Sequence, residues 1–530
     1  MTQRKRHCCG HSTCNTVASL PNYFILRPQP FTMVPLAVIV ALCLLSMSSA
    51  CDFEPASYEN TGIVCKLTRP AALVLNEQTA QVIQAAFRHA TYPDIHGERS
   101  VRFLGKVVYG LNNIQINDLT IEESKVDLKE DEAIEIKIQN VSATFKGSLN
   151  YGYGGWFVNL GHSIDFEIES AIDLQINTKL TCENNRLAAD TSDCYLAFHK
   201  LVLHLHGDKQ PGWIKQLFTN FISFTLKLAL KSQICKEINN VANLLASFIQ
   251  DRAEKFLSDG DIGVDISTAA SPIINSNYVE SHHKGLLLYP NHSVAISEST
   301  FTPALLAESR MLYFWFSEKV LNSLGVAAFL DERLVFNITG KDIQEMVESE
   351  DVETHRAILK EVFKGAPLKD CLAKAWSLTP PQITLSSEGT VVKSHVAAEF
   401  SVPSREEDSA VAFYFETEVI ATIQASYAEK KLILHLSDAG IEIKDYRSAS
   451  EMSAKEESIR HFLTRTVSVV GIPAVISRLE PALTSLMNSK GLHFFEIKNP
   501  EIITKEGYLI IQLDFEFPHH LLVDFLKQTL

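Results

Sequence analysis

Pro211-Gly-Trp-Ile-Lys-Gln-Leu-Phe-Thr-Asn-Phe-Ile-Ser-Phe224 opens a run in which the period of the hydrophobic pattern changes. Just upstream, Leu201, Leu203 and Leu205 alternate with Val202 and His204, the two-residue period of a strand that is dry on one face. From Pro211, whose fixed φ suits a first helical position, apolar residues recur at helical spacing to about Leu257: Trp213, Leu217, Phe221, Phe224 and Leu228, then Leu244, Leu245 and Phe248. The pattern predicts one long helix, or two in series, stopped by Ser258-Asp-Gly-Asp261.

Towards the N-terminus the strand period continues. Ile134, Ile136 and Ile138 alternate with Glu135 and Lys137; Ile164, Phe166 and Ile168 with Asp165 and Glu167; Ile172, Leu174 and Ile176 with Asp173 and Gln175. These read as half-buried antiparallel strands. A short helix is expected over Asn76 to Ala90, with Asn76 as its cap and Val82, Ile83, Ala86 and Phe87 as its apolar stripe. Past the long helix, Ile262, Val264 and Ile266 begin another strand, and Pro290 to Thr302 is a polar linker.

The order then recurs. Met311 to Leu324 reads as an aromatic-rich helix, followed by strands at Val391 to Val402, Ala410 to Tyr427 and Lys431 to Ile443. A long helical stretch from Ser453 to Ser489 precedes strands at Leu492 to Ile497 and Tyr508 to Phe517. Both halves are short helix, twisted antiparallel sheet, long helix and strand, a duplication of architecture without a residue-level repeat. A strongly curved sheet with a long helix laid along it encloses an elongated apolar space, which side chains or lipid can fill. The chain ends in a short amphipathic helix that sets Phe517, Leu521, Leu522 and Phe525 against Asp524, Lys527 and Gln528.

Composition limits the partners. Of 530 residues, 46% are hydrophobic and 21% charged, an ordinary globular balance in a chain long enough for two or three domains. The formal charge is −15, although the first fifty residues carry only basic side chains, so the body of the chain offers no broad cationic footprint for nucleic acid. Val34 to Met47 is uncharged and apolar and ends in Ser48-Ser49-Ala50, the pattern of a cleaved signal peptide, and no later stretch reads as membrane-spanning. Cleavage there leaves Cys51, Cys65, Cys182, Cys194, Cys235 and Cys371, which can pair in many ways in an oxidising compartment. Asn140, Asn291 and Asn337 each open an Asn-x-Ser/Thr acceptor for glycosylation.

No catalytic motif stands out. There is no Gly-x-Ser-x-Gly elbow, His-Glu-x-x-His, Walker loop or dinucleotide fingerprint, so no catalytic residue is assigned. The histidine pair in Ser281-His282-His283-Lys284 lacks a nearby third ligand, and Cys8, Cys9 and Cys14 with His7 and His11 match no standard zinc spacing. No metal is expected.

Several stretches resemble the lipid-transfer and lipopolysaccharide-binding protein family, and in particular its neutral-lipid carriers. They include Tyr109-Gly-Leu-Asn-Asn-Ile-Gln115, Pro211 to Phe224, Ser258-Asp-Gly-Asp-Ile-Gly-Val-Asp-Ile266, Arg310-Met-Leu-Tyr-Phe-Trp-Phe316 and Leu521-Leu-Val-Asp-Phe525. The resemblance runs from about Cys51 to Leu530. It implies an elongated α+β boomerang of two barrels, each a twisted antiparallel sheet with a long helix, joined by a central sheet and followed by a C-terminal amphipathic helix. On that plan residues 1–50 are a removed leader, 51–289 the N-terminal barrel, 290–310 a linker, 311–516 the C-terminal barrel and 517–530 the terminal helix.

The implied function is transfer of cholesteryl esters and triglycerides, with phospholipid, between high-density and low- or very-low-density lipoproteins in plasma, without catalysis or cofactor. Bound cholesteryl ester, triglyceride and phosphatidylcholine are expected. The alternative is a phospholipid-transfer or lipopolysaccharide-binding sibling. By the same resemblance Cys194 and Cys235 form the disulfide, while Cys65 and Cys182 are unpaired. Gln250, Arg252, Ile266, Ser281 and His283 correspond to the N-terminal tunnel mouth, and Val475, Met487 and Ile497 to the C-terminal tunnel. Phe517, Leu521, Leu522 and Phe525 correspond to the mobile terminal helix. Two acceptor asparagines of the family are missing from the C-terminal half, and Asn337 is added, so the glycan pattern departs from the family's.

Overall fold

The computed structural model describes residues 58–530 apart from 102–104, 130–132, 154–159, 207–214, 216, 219–221, 291, 294–295, 302–308, 342–343, 345–352, 364, 403–409, 487–495, 517–518 and 530. Strand β1 (Ile63–Thr68) runs directly into helix α1 (Arg69–His89). Pro70 sits in the first turn, where its missing N–H costs nothing, so the helix begins well before the expected start at Asn76. Asn76 lies inside the helix and its side-chain oxygen accepts from Ser124 Oγ at 3.0 Å. The expected stripe faces the core: Ile83, Ala86 and Phe87 are buried.

Strands β2 (Ile95–Val101), β3 (Gly105–Lys129), β4 (Ala133–Tyr153), β5 (Leu160–Glu183) and β6 (Arg186–His206) form a five-stranded antiparallel sheet in sequence order. Its register shifts between Asn112 and Gln115 and between Ile138 and Val141, where Asn113 and Asn140 take φ of 55°. Asparagine tolerates that left-handed backbone, and each bulge adds local bend and twist. Helix α2 (Ser223–Leu257) returns across this sheet with Leu226, Leu230, Ile234, Ile238 and Val241 buried. Ile222 before it is already helical, and part of the predicted stretch from Pro211 lies outside the described residues.

Strands β7 (Gly263–Asp265), β8 (Thr268–Ile274), β9 (Tyr278–His283), β10 (Leu286–Tyr289) and β11 (His292–Ser293) follow, of which β7, β10 and β11 make a small sheet of their own. The expected helix over Met311 to Leu324 is instead strand β12 (Leu312–Ser317) followed by helix α3 (Glu318–Leu330), capped by Ser317 Oγ accepting from Lys319 N. The reason is burial on both faces. Tyr313 and Trp315 pack on one side and Phe314 and Phe316 on the other, so the run shows no polar alternation. A continuous apolar run of this length fits either element by periodicity alone.

The second half repeats the plan. Strands β13 (Val335–Thr339), β14 (Leu372–Ser377), β15 (Gln382–Ser386), β16 (Gly389–Val402), β17 (Ala410–Ala428) and β18 (Lys431–Ser448) form one antiparallel sheet, with helix α4 (Glu353–Val362) beside it. The long helical stretch is α5 (Glu456–Thr466), a π turn over Val467–Gly471, and α6 (Ile472–Leu486). Strands β19 (Glu496–Lys505) and β20 (Tyr508–Glu516) precede the terminal helix α7 (His519–Thr529).

A six-stranded central sheet, ordered β19-β20-β12-β1-β9-β8, draws three strands from each half. One of its faces carries a buried charge network. Lys66 Nζ lies 3.2 Å from Glu280, which also accepts from Tyr58 and bonds the His282 ring, and Lys66 stacks over Tyr278 at 3.7 Å. Buried ions of this kind persist only when paired and hydrogen-bonded.

In each half the long helix closes the sheet's edge strand with side-chain bonds to its backbone. Along β6, Gln250 of α2 exchanges two bonds with Leu187, Asn243 two with Ala189, and Asn239 accepts from Thr191 N. Cys194 and Cys235 are joined by a disulfide, Lys231 sits over Tyr195, and Lys227 reaches Phe198 O. Along β18, Thr484 and Glu480 accept from Leu432 N and Leu434 N, and Arg460 donates to Ile443 O. The dimensions agree. From Lys227 to Gln250, or from Arg460 to Thr484, a helix rises about 35 Å, and from Leu187 to Phe198, or Leu432 to Ile443, a strand spans about 36 Å. Polar side chains of the helix thus take the place of the next strand at these backbone groups and cover part of each edge.

Candidate functional site

The C-terminal half holds an apolar cavity of about 270 Å3 between the inner face of its sheet and the bent helix. Val396 and Phe400 of β16, Val419 of β17, and Val470, Val475 and Leu479 of the helix line it. The opposite face of β16 carries Lys393 and His395, so the two-residue period separates a dry wall from a wet one. Of the residues that the resemblance assigns to the C-terminal tunnel, Val475 lines this cavity. Ile497 lies apart, on β19, packed with Ala71, Leu312 and Phe515 between the central sheet and α1. Met487 and Phe517 lie outside the described residues.

In the N-terminal half, helix α7 seats on α1 and α2. Leu521, Leu522 and Phe525 are buried, and Leu522 and Phe525 join the core of the five-stranded sheet. The Phe525 ring lies 5.5 Å from that of Phe248, and Arg252, 5.0 Å from the same ring, pairs with Asp524 at 3.6 Å. The terminal helix is thus held by an apolar stripe and by one ion pair at its margin. An isolated helix of this length is unstable in water, so its fold depends on that seat.

The polar residues expected around the N-terminal mouth separate into three tasks. Gln250 is 7% exposed, and its amide is committed to the Leu187 backbone and to Ala246 O. Arg252 faces the terminal helix. Ser281 and His283, both on β9, form a chain with Cys65. His283 Nδ1 lies 2.8 Å from Ile266 O, so it donates there, and Nε2 accepts from Ser281 Oγ at 2.9 Å. Burial lowers the His283 pKa against the opposing bond to Ile266, which keeps the ring neutral. The Cys65 thiol bonds Ser281 and is pushed up to about 12, chiefly by burial. Such a chain leaves the Ser281 oxygen a lone pair in buried surroundings. Sequence reasoning missed Asn239 and Asn243; their spacing of four on the dry side of α2 was the available signal.

Cys194–Cys235 is a disulfide and Cys65 is free, but Cys182, expected unpaired, is disulfide-bonded. Cys182 sits half-buried near the β5–β6 hairpin, where a thiol is accessible for pairing. Cys371 is free and buried. Asn140 and Asn337 are exposed, whereas Asn291 lies outside the described residues. Among the described residues no group of three or more His, Cys, Asp and Glu has metal-holding geometry; the Cys8 to Cys14 cluster lies outside them.

The N-terminal domain of the LBP/BPI/CETP family matches residues 72–248 and its C-terminal domain residues 257–517. The cholesteryl ester transfer protein of Gallus gallus is 57% identical over 492 residues, covering 93% of this chain and 97% of that protein. The human protein of the same name is 51% identical, covering 93% and 99%. Lipopolysaccharide-binding protein of Mus musculus is 22% identical over 290 residues, covering 54% and 58%.

Proposed function

The chain belongs to the LBP/BPI/CETP family, and from that premise we propose that it is a secreted carrier of neutral lipid. It exchanges cholesteryl esters and triglycerides, with phospholipid alongside, between high-density and low- or very-low-density lipoproteins. The observation that carries the reading is the cavity walled by Val396, Phe400, Val470 and Val475, an apolar space between sheet and helix that the side chains leave open. Relatives named for cholesteryl ester transfer share more than half of their residues with this chain, which supports the neutral-lipid branch over the phospholipid or lipopolysaccharide one. The acidic balance supports the same choice.

Transport of this kind needs no reaction. Burying hydrocarbon in protein returns roughly 25 cal/mol per Å2, which offsets leaving a lipid particle, so net flux follows concentration and runs in both directions. Phospholipid headgroups meet Ser281 and His283 at the N-terminal mouth, beside Ile266, while Arg252 holds the terminal helix over the core of that half. Val475 and Met487 serve the C-terminal passage, and Ile497 serves it from the apolar cluster between the central sheet and α1. A second reading comes from the Ser281–His283 contact, which has the spacing of a nucleophile and its base. It lacks a carboxylate partner, since His283 Nδ1 is spent on a backbone carbonyl.

The test is transfer itself. Residues 51–530 are incubated with donor particles holding labelled cholesteryl ester and with acceptor particles, beside a chain ending at Glu516. Label gained by the acceptor, and less of it with the shortened chain, supports the carrier and its terminal helix. Transfer of phospholipid alone would favour the sibling reading.

A further inference from the structure

We infer that the Val467–Pro473 turn is the expandable wall of the C-terminal cavity, and that Pro473 and Gly471 decide how bulky a neutral lipid this half admits. The inference rests on the neutral-lipid reading above. At about 270 Å3 the cavity lies below the size of ordinary drug-holding pockets, which begin near 300 Å3, and a neutral lipid is larger than that. A wall must therefore yield. The sheet is a poor candidate: β16 pairs along its length with β17, β17 with β18, and β14 backs β16. Opening it means breaking ladder hydrogen bonds.

The helical wall is built differently. Near one end Arg460, and near the other Glu480 and Thr484, bond it to the backbone of β18. Between them the α pattern gives way: Ile472 N–H bonds Val467 O, five residues back, across the π turn. Pro473 explains the break. It has no N–H for the Val469 carbonyl, and its ring would clash with that carbonyl in a regular helix. A π turn widens the helix locally and is the expected response. This weakened turn is the part of the helix whose Thr466, Val467, Val470 and Gly471 face the cavity. Gly471 adds space rather than a special backbone: a Cβ built there meets Val467 Cγ1 at 3.8 Å, an ordinary contact. A helix held to β18 near both ends and softened between them can bow outward beside the cavity.

The experiment compares triglyceride and cholesteryl ester transfer from mixed donor particles by wild type, Pro473→Ala, Gly471→Ala and Pro481→Ala. Restoring the N–H at 473 lets the helix run straight and stiffens the wall. The expected result is a fall of roughly tenfold in the triglyceride to ester ratio for Pro473→Ala, the scale on which a hydrophobic pocket discriminates by a methylene or two. Gly471→Ala falls in the same direction by less. Pro481, exposed and beyond the cavity, serves as the control and keeps the wild-type ratio. In the wild type, loading with triolein should raise amide hydrogen exchange across 467–473 above that of the ester-loaded protein, with no change in β16 and β17. This second readout holds even if a variant fails to fold. An unchanged ratio in Pro473→Ala with wild type moving both lipids, or equal exchange in the two loaded forms, overturns this inference alone. A wild type that moves neither lipid overturns the carrier reading beneath it.

Discussion

Replacing Gln250 by methionine, which keeps the side chain's length and volume, separates two roles for that residue. If Gln250 closes the β6 edge, the variant loses the reciprocal pair of 3.0 Å and 2.9 Å bonds to Leu187 and leaves both backbone groups unpaired. Each buried unsatisfied group costs about 1–3 kcal/mol. Leu187 is only half-buried, so the lower part of that range applies and the pair amounts to about 2–3 kcal/mol. For a unit the size of the N-terminal half this lowers Tm by about 5–10 °C. Differential scanning calorimetry reads the shift, and quantitation of phosphatidylcholine in the purified variant reads the other role. The expected outcome is a lower Tm with lipid content retained per folded molecule. An unchanged Tm with lost phospholipid would refute the edge-closing argument and return Gln250 to the headgroup.

Phe525→Ala removes the ring that meets Phe248, a change worth about 3–5 kcal/mol where a buried aromatic is lost. Since α7 has no stability of its own, amides across 519–529 should lose exchange protection while β3 to β5 keep theirs. The Glu280 carboxylate is held at about 2, burial raising its pKa but the His282, Tyr58 and Lys66 partners lowering it more. A depressed carboxylate stabilises fully above its unfolded pKa near 4.5 and loses that contribution as pH falls towards 2, so acid unfolding should steepen through that window. Glu280→Gln leaves the Lys66 ammonium buried without its counter-ion, and denaturant titration at pH 7 should show a loss of about 3–5 kcal/mol. Removing the Cys194–Cys235 disulfide, which closes a separation of 41 residues, should cost about 4 kcal/mol on loop-closure grounds, read by the same titration in Cys194→Ala/Cys235→Ala.

Elements with one wet face were legible. Leu201, Leu203 and Leu205, or Ile164, Phe166 and Ile168, announce strands because water on one side forces alternation, and the long helices announce themselves by the same logic at period 3.6. Strand β12 of the central sheet was not legible, since Leu312 to Ser317 is covered on both faces and its pattern carries no period. The start of α1 was missed because Asn76 mimics a cap while the true start is set by β1 and Pro70. At the site, residue types were visible but their tasks were not. An amide on a helix reads as a ligand or as an edge cap alike until the strand beside it is known, and Gln250 is the instance. Cys182 shows the same limit, because pairing depends on which chain segments fold beside the β5–β6 turn.

A carrier of this kind passes lipid through unaltered, and a doubly labelled cholesteryl ester tests that most directly. With one isotope in the sterol rings and another in the acyl chain, both labels should reach the acceptor particles in the ratio they had in the donor, at a rate proportional to protein concentration. Arrival of the sterol label without the acyl label, abolished by Ser281→Ala, would make the Ser281–His283 pair a hydrolytic site and contradict the carrier account.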